Sequence, residues 1–267
     1  MIKKSIFLLL AAGMLSMSCS SDDDAGNGVD ATAYFPLNQG ASWTYDVTRT
    51  GFTGTDVLYT DGDVVINNNT YTKFMTESPA EGFFSGALSG NGVRQSGGRL
   101  LVSGNTGISL SEEIPFNISI TDFPVFDTSA TAGTQIGNTT GSFEQQTEDG
   151  YTLKFDYMLY STAQVDLATY SAPDGQSYID VKTTNLSLNL TITALVDAGG
   201  FTIPFEILPQ QQVINSTQYY ANGIGVVYVS TDITYQLADL SAFNIELPIP
   251  SSGTEHQDEV LTDYSLN

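Results

Sequence analysis

Apolar and polar residues alternate along most of this chain with a period of two, and a helical period is nearly absent. The clearest run covers residues 185–196. Leu186, Leu188, Leu190, Ile192 and Ala194 share one face, and Ser187, Asn189, Thr191 and Thr193 share the other. Residues 151–160 repeat the rule, with Tyr151, Leu153, Phe155, Tyr157 and Leu159 opposite Lys154 and Asp156. Such one-sided alternation predicts antiparallel strands with one face on a core and one in water. Further strands are predicted at 43–50, 54–60, 70–76, 92–103, 115–121, 176–183, 201–208, 212–220, 224–236 and 258–265. Turn signals separate them at Asp61-Gly62, Asn67-Asn68-Asn69, Gly97-Gly98, Asp149-Gly150, Asp174-Gly175, Gly199-Gly200 and Asn222-Gly223. No segment predicts an amphipathic helix; at most a short helical turn interrupts the connections.

Many long strands with one wet face must curl to hide the other. The expected fold is therefore all-β: a single large antiparallel meander forming a strongly curved sheet, half-barrel or open barrel. A two-sheet sandwich is the alternative. Pro115, Pro204 and Pro209 are expected near strand ends, at edges or switches between sheets. No composition shift or Pro/Ser-rich linker divides residues 34–267, which are read as a single β-domain.

The first residues follow a different pattern. Lys3 and Lys4 precede an apolar run, residues 6–12, that is too short to span a bilayer, and Ser16 and Ser18 are small residues of a cleavage site. The run leads to the chain's only cysteine, Cys19. An ordinary secretory signal cut after Ser16-Met17-Ser18 is the plainer reading. A lone thiol directly after such a run resembles the lipobox of bacterial lipoproteins, although Leu15 stands four residues before the cysteine and Ser16 takes the usual branched position. The resemblance implies a signal peptide over 1–18 and acylation of Cys19, so that acyl chains attach the protein to a membrane. An acylated thiol also accounts for a secreted chain with one cysteine and no disulfide partner. Ser20-Ser21-Asp22-Asp23-Asp24 resembles the serine-plus-acidic tether that exports lipoproteins to the outer face of the outer membrane in Bacteroidota. Residues 19–33 are read as the acylated cysteine and a flexible acidic tether, and the expected location is the outer membrane, facing the exterior.

Charge narrows the partners. The chain carries 30 acidic against 8 basic residues, and removing residues 1–18 leaves six basic ones. Nucleic acid binding is excluded on this balance, because no basic patch is available to displace counterions from phosphates. Docking on anionic lipid is disfavoured for the same reason. The acidity suits solubility at a crowded surface.

Three internal strings stand out. Tyr34-Phe35-Pro36-Leu37-Asn38-Gln39-Gly40-Ala41-Ser42-Trp43-Thr44-Tyr45 brings an apolar arm through a glycine turn into a strand whose first inward residue is the only tryptophan. It resembles the Y-F-P-L-x-x-G-x-x-W-x-Y opening of a family of uncharacterised Bacteroidota surface lipoproteins. Tyr219-Tyr220-Ala221-Asn222-Gly223-Ile224-Gly225-Val226-Val227-Tyr228 and Glu259-Val260-Leu261-Thr262-Asp263-Tyr264 resemble its Y-A-x-G-I-G-x-V and closing L-x-x-Y strands. The resemblance covers both ends of the domain, not residues 80–175, and implies a β-rich fold without any activity. From the residues themselves, the aromatics are core and the glycines mark close backbone approach.

Catalytic chemistry finds few carriers. His256 is the only histidine, placed in a polar stretch and read as a solvated loop residue, and no G-x-S-x-G elbow is present. Transition-metal sites lack His and Cys clusters. Two carboxylates suffice for glycoside hydrolysis, with Glu112, Glu113, Glu144 and Glu148 as candidates in polar surroundings. Asp61-Gly62-Asp63 is a weak calcium candidate, two carboxylates in an expected tight turn without the full D-x-[DN]-x-[DN]-G loop. Gly82-Phe83-Phe84-Ser85-Gly86 is a stretch able to line a concavity, although 29 aromatic residues are also what a large β-core requires. The leading expectation is a non-enzymatic surface lipoprotein with a binding or accessory role and no cofactor. A protein, a glycan or an apolar ligand is the possible partner at the cell surface. A carrier of an apolar ligand in the concave face of the sheet is second, and a carbohydrate-active enzyme third.

Overall fold

The computed structural model describes residues 30–109, 115–146, 152–197, 200–239 and 250–266. Cys19, the signal and most of the tether lie outside the described residues, as do Glu112, Glu113, Glu148, Asp149, Tyr151 and Gly199. Among the described residues, thirteen strands form one antiparallel sheet: β1 (Ser42–Arg49), β2 (Phe52–Ile66), β3 (Asn69–Thr76), β4 (Gly92–Ser96), β5 (Arg99–Ser109), β6 (Pro115–Asp127), β7 (Gln135–Gln146), β8 (Thr152–Ala163), β9 (Leu167–Ser171), β10 (Ser177–Asp197), β11 (Thr202–Ala221), β12 (Gly225–Gln236) and β13 (Ser252–Ser265). One short helix, α1 (Phe83–Leu88), joins β3 to β4, and a 3-10 turn at Ala31–Ala33 precedes the apolar arm.

The spatial order is β6-β5-β4-β3-β2-β1-β13-β12-β11-β10-β8-β7, with β9 paired to β10 off this path. The first strand thus pairs with the last, and the meander curls into a nearly closed barrel with one seam, between β6 and β7. Side chains hold the seam. Ser161 Oγ donates to the Pro124 carbonyl, and the rings of Phe116 and Phe143 stack 6.2 Å apart across it. Phe155 joins them, 4.8 Å from Phe143 and 5.4 Å from Phe116. An open barrel is what the alternation predicts, and a sandwich is not formed.

Inward positions fill the interior. In β1, Trp43 and Tyr45 are buried, as the opening string predicts, together with Val47; in β8, Phe155 and Leu159; in β10, Leu188, Leu190 and Ile192. A layer of aromatic rings crosses the barrel around Phe35, which lies 5.2 Å from both Trp43 and Phe74 and 6.3 Å from both Phe84 and Tyr220. Each such ring taken from water contributes about 2 kcal/mol.

Several expected boundaries shift. Asp61-Gly62 is not a turn: β2 runs through it, and the extra residues form a bulge where the pairing jumps between Thr60 and Asp63, with Gly62 at φ +68°. Pro115 opens β6 and Pro204 lies two residues into β11, near strand ends as expected, whereas Pro209 lies inside β11. Pro209 sits where the β10–β11 register jumps between Leu190 and Ile192, a bulge that removes the need for its N–H. The two expected segments 176–183 and 185–196 are one strand, bent at Asp180 (φ +51°), and 201–208 and 212–220 are likewise one. Residues 92–103 divide at the Gly97-Gly98 turn into β4 and β5. Strands β7 and β9 were not predicted.

Candidate functional site

Concavity of the kind a ligand needs occurs both inside the barrel and on its outer surface. The inner one lies between the aromatic layer and the seam, bordered by Phe84, Leu88, Val102, Ile118, Phe123 and Leu188 among others. Its lining is almost wholly apolar, yet it offers only about 60 Å³ of room for solvent-sized molecules. The protein's own chain occupies the rest: Phe35 on the apolar arm and Phe84 and Leu88 on α1 are all buried. The stretch Gly82-Phe83-Phe84-Ser85-Gly86 therefore helps to line a concavity, as expected, but does so mainly by filling it.

Three side chains hold α1 there. Asp56 on β2 accepts the N–H groups of Glu81 at 3.0 Å and Gly82 at 2.8 Å. Gln257 on β13 accepts from Phe83 N at 2.6 Å and donates to Glu81 O at 2.9 Å. Glu259, also on β13, accepts from Phe84 N at 2.6 Å, Ser85 N at 3.1 Å and Ser85 Oγ at 2.8 Å. The first-turn N–H groups of a helix have no partners of their own, and these three side chains supply them. A Cβ at Gly82 would collide with the Glu259 carboxylate, so glycine is required at that point. Burial pushes the Glu259 carboxyl up to about 7, against the pull of its hydrogen bonds from Phe84 and Ser85. These bonds account for Glu259 as a structural latch.

The outer site is a groove of about 530 Å³ on β10 and β11, walled by Gln164, Val165 and Leu167 where β8 passes into β9. Its floor is Thr183, Asn185, Asn215 and Thr217; Gln164, Val165, Leu167 and Tyr219 complete it. All are uncharged. Tyr219 belongs to an aromatic cluster, with its ring 4.3 Å from Tyr170 and 5.2 Å from Tyr228. Thr183 Oγ1 donates to the Val165 carbonyl at 2.8 Å, which fixes the wall to the floor. A third concavity beside the β4–β5 turn contains Arg99, Asp122 and Asp127. There Arg99 pairs with Asp127 at 2.7 Å, and Arg94 pairs with Asp122 at 2.8 Å, so the charges are spent on each other.

The residues singled out by sequence fall elsewhere. Asp61 and Asp63 sit exposed at the β2 bulge, where Asp61 meets Lys73 Nζ at 3.3 Å. Among the described residues, no group of three or more His, Cys, Asp or Glu side chains is arranged to hold a metal ion. Glu144 is exposed on β7. His256 is not in a loop: it lies on β13, with Nδ1 2.7 Å from Asp232 and Nε2 3.4 Å from Asp258. The Asp232 hydrogen bond raises its pKa, and with both ring nitrogens facing carboxylates neither is directed at a serine. Gly225 does mark a close approach, but the neighbour is the Trp43 indole rather than another backbone. Of the groove residues, Tyr219 opens one of the strings singled out in the sequence, where it is read as core, and Asn185 shares the outward phase of 185–196; the sequence singles out none of the others. Comparison with family models, with curated proteins and with solved structures returned no match for this chain.

Proposed function

We propose that this chain is a non-enzymatic binding module of the bacterial cell surface, held to the outer membrane by acyl chains on Cys19 and meeting its partner through the outer face of the barrel. One observation carries the outer-face reading: the interior is packed with the chain's own aromatics and α1, leaving about 60 Å³, while the outer groove offers about 530 Å³. The lipobox-like run, the Ser/Asp tether and the strings similar to Bacteroidota surface lipoproteins support the anchor and the location.

Mass spectrometry of the protein from its native envelope, combined with protease treatment of whole cells, tests this reading. The expected result is a mature chain that begins at an acylated Cys19 and is cleaved on intact cells. A free Cys19 thiol or an uncut signal would contradict the anchor, and protection from protease would move the domain to the periplasmic side.

A second reading has the apolar lining of the inner cavity in its favour. In it, a slender apolar group lodges between α1 and β6, and the barrel acts as a carrier.

A further inference from the structure

We infer that the groove on β10 and β11 binds a neutral carbohydrate, an inference that rests on the outer-face reading above and names its ligand. Asn185 organises the floor. Its Nδ2 donates to Asn215 Oδ1 at 2.8 Å and to Thr217 Oγ1 at 3.1 Å, and its Oδ1 accepts from Ser187 Oγ at 2.7 Å. Gln212 Nε2 in turn donates to Ser187 Oγ at 2.7 Å. With Asn215 Oδ1 and Thr217 Oγ1 engaged as acceptors, the Asn215 amide N–H groups and the Thr217 hydroxyl hydrogen are left for a ligand. The Gln164 side-chain amide stands on the wall beside them. The result is a fixed set of uncharged donors and acceptors in one concavity.

The backbone beneath is fully used. Asn185 pairs with Thr162 on one side and Thr217 on the other; Asn215 pairs with Ser187 and Asp232, and Thr217 with Asn185 and Ser230. A peptide that binds by adding a strand needs a free edge, and the floor has none. A ligand that carries its hydrogen-bonding capacity in hydroxyl groups needs only the side chains. Charge argues the same way: no basic residue lines the groove to meet a phosphate or carboxylate, no carboxylate lines it to meet a cation, and the chain's net charge of −22 repels anions. Tyr219, braced by Tyr170, and Leu167 give an apolar wall of the kind on which the C–H face of a sugar ring packs.

The test uses the full chain on an array of neutral glycans, with an array of peptides run in parallel. Thr217→Val keeps the side-chain shape and removes one donor; Asn215→Ala removes the amide; Val65→Ser, on the distant β2–β3 hairpin, serves as control. Thermal melts check that each variant folds. The expected result is binding of at least one neutral glycan, weakened about tenfold by Thr217→Val and by more in Asn215→Ala, and unchanged in Val65→Ser. Glycan binding insensitive to Thr217→Val and Asn215→Ala would overturn the assignment of the groove. A peptide ligand lost in Asn215→Ala would overturn the carbohydrate and keep the outer-face reading. No groove-dependent ligand on either array would overturn both.

Discussion

The carboxylate of Glu259 accepts the backbone N–H of Phe84 at 2.6 Å, joining two residues 175 positions apart. The same group takes Ser85 N and Ser85 Oγ, so one β13 side chain fixes the start of α1 inside the barrel. A six-residue helix is far too short to persist by its own propensity. Its existence depends on these bonds and on the burial of Phe84 and Leu88.

Replacing Glu259 by Leu would therefore leave two buried N–H groups and a hydroxyl without partners, at a cost of about 3 kcal/mol or more. Glu259→Gln keeps one acceptor oxygen and loses less. Urea unfolding of the two variants checks the order, and a Leu variant as stable as the parent would remove the latch from the account.

Stability should depend on pH in a defined direction. Glu259 titrates near 7 in the fold because burial disfavours its charge, and Asp56 adds to this, against an ordinary value of 4.5. The folded state thus holds this proton more tightly than the unfolded chain. Its contribution is complete below about 4.5 and is lost as pH rises through 7. His256, raised from 6.5 by Asp232, acts in the same direction with a small effect at its exposed position. Three aspartates oppose them on the acid side. The Arg94 hydrogen bond lowers Asp122 and the Lys154 hydrogen bond lowers Asp156. Asp127, which burial alone would raise, is brought below its ordinary value by Ser129 and Arg99. Their contributions are present above 3.8 and fail as pH falls. Melting temperatures should peak in the mildly acidic range and decline toward both pH 3 and pH 8. Glu259→Gln should flatten the decline between 5 and 7, and a midpoint that climbs steadily to pH 8 would contradict this.

Two glycines of the β11–β12 turn should respond differently to alanine. Gly225 has φ +123°, and a Cβ there would lie 2.6 Å from Trp43 Nε1, whose N–H donates to the Ile224 carbonyl at 2.8 Å. Gly225→Ala should cost about 3 kcal/mol through strain and displacement of the indole. Gly223, with φ +76° and nothing within 4 Å, should cost about 1 kcal/mol. The buried Trp43 reports both by the position of its fluorescence emission.

Period-two alternation carries information about facing, and that part of the fold was legible in the chain: Trp43, Tyr45, Phe155, Leu188, Leu190 and Ile192 all point inward as predicted. Continuity was not. A bulge and a turn both interrupt the alternation, so Asp61-Gly62 imitated a hairpin and Pro209, seated at a register jump, split β11 into two expected segments; the break expected between 183 and 185 matches no turn, because β10 runs straight through it. Strand β7, with Gly137, Asn138 and Gly141 and a largely exposed outer face, offered little strand propensity to detect. Helix α1 was hidden because Asp56, Gln257 and Glu259, which hold it, are remote in sequence. The groove was hidden similarly. Asn185 and Asn215 are thirty residues apart, and the wall formed by Gln164, Val165 and Leu167 distinguishes them from other outward amides.

The central claim is that the barrel's interior is structural and its ligand face lies outside. Titration of the full chain with a long-chain fluorescent fatty acid, followed by energy transfer from Trp43 beside Phe35, tests it most directly. The account predicts no saturable transfer, because about 60 Å³ between α1 and the sheet cannot admit such a chain. Saturable, stoichiometric transfer would place the ligand inside the barrel and contradict the outer-face reading.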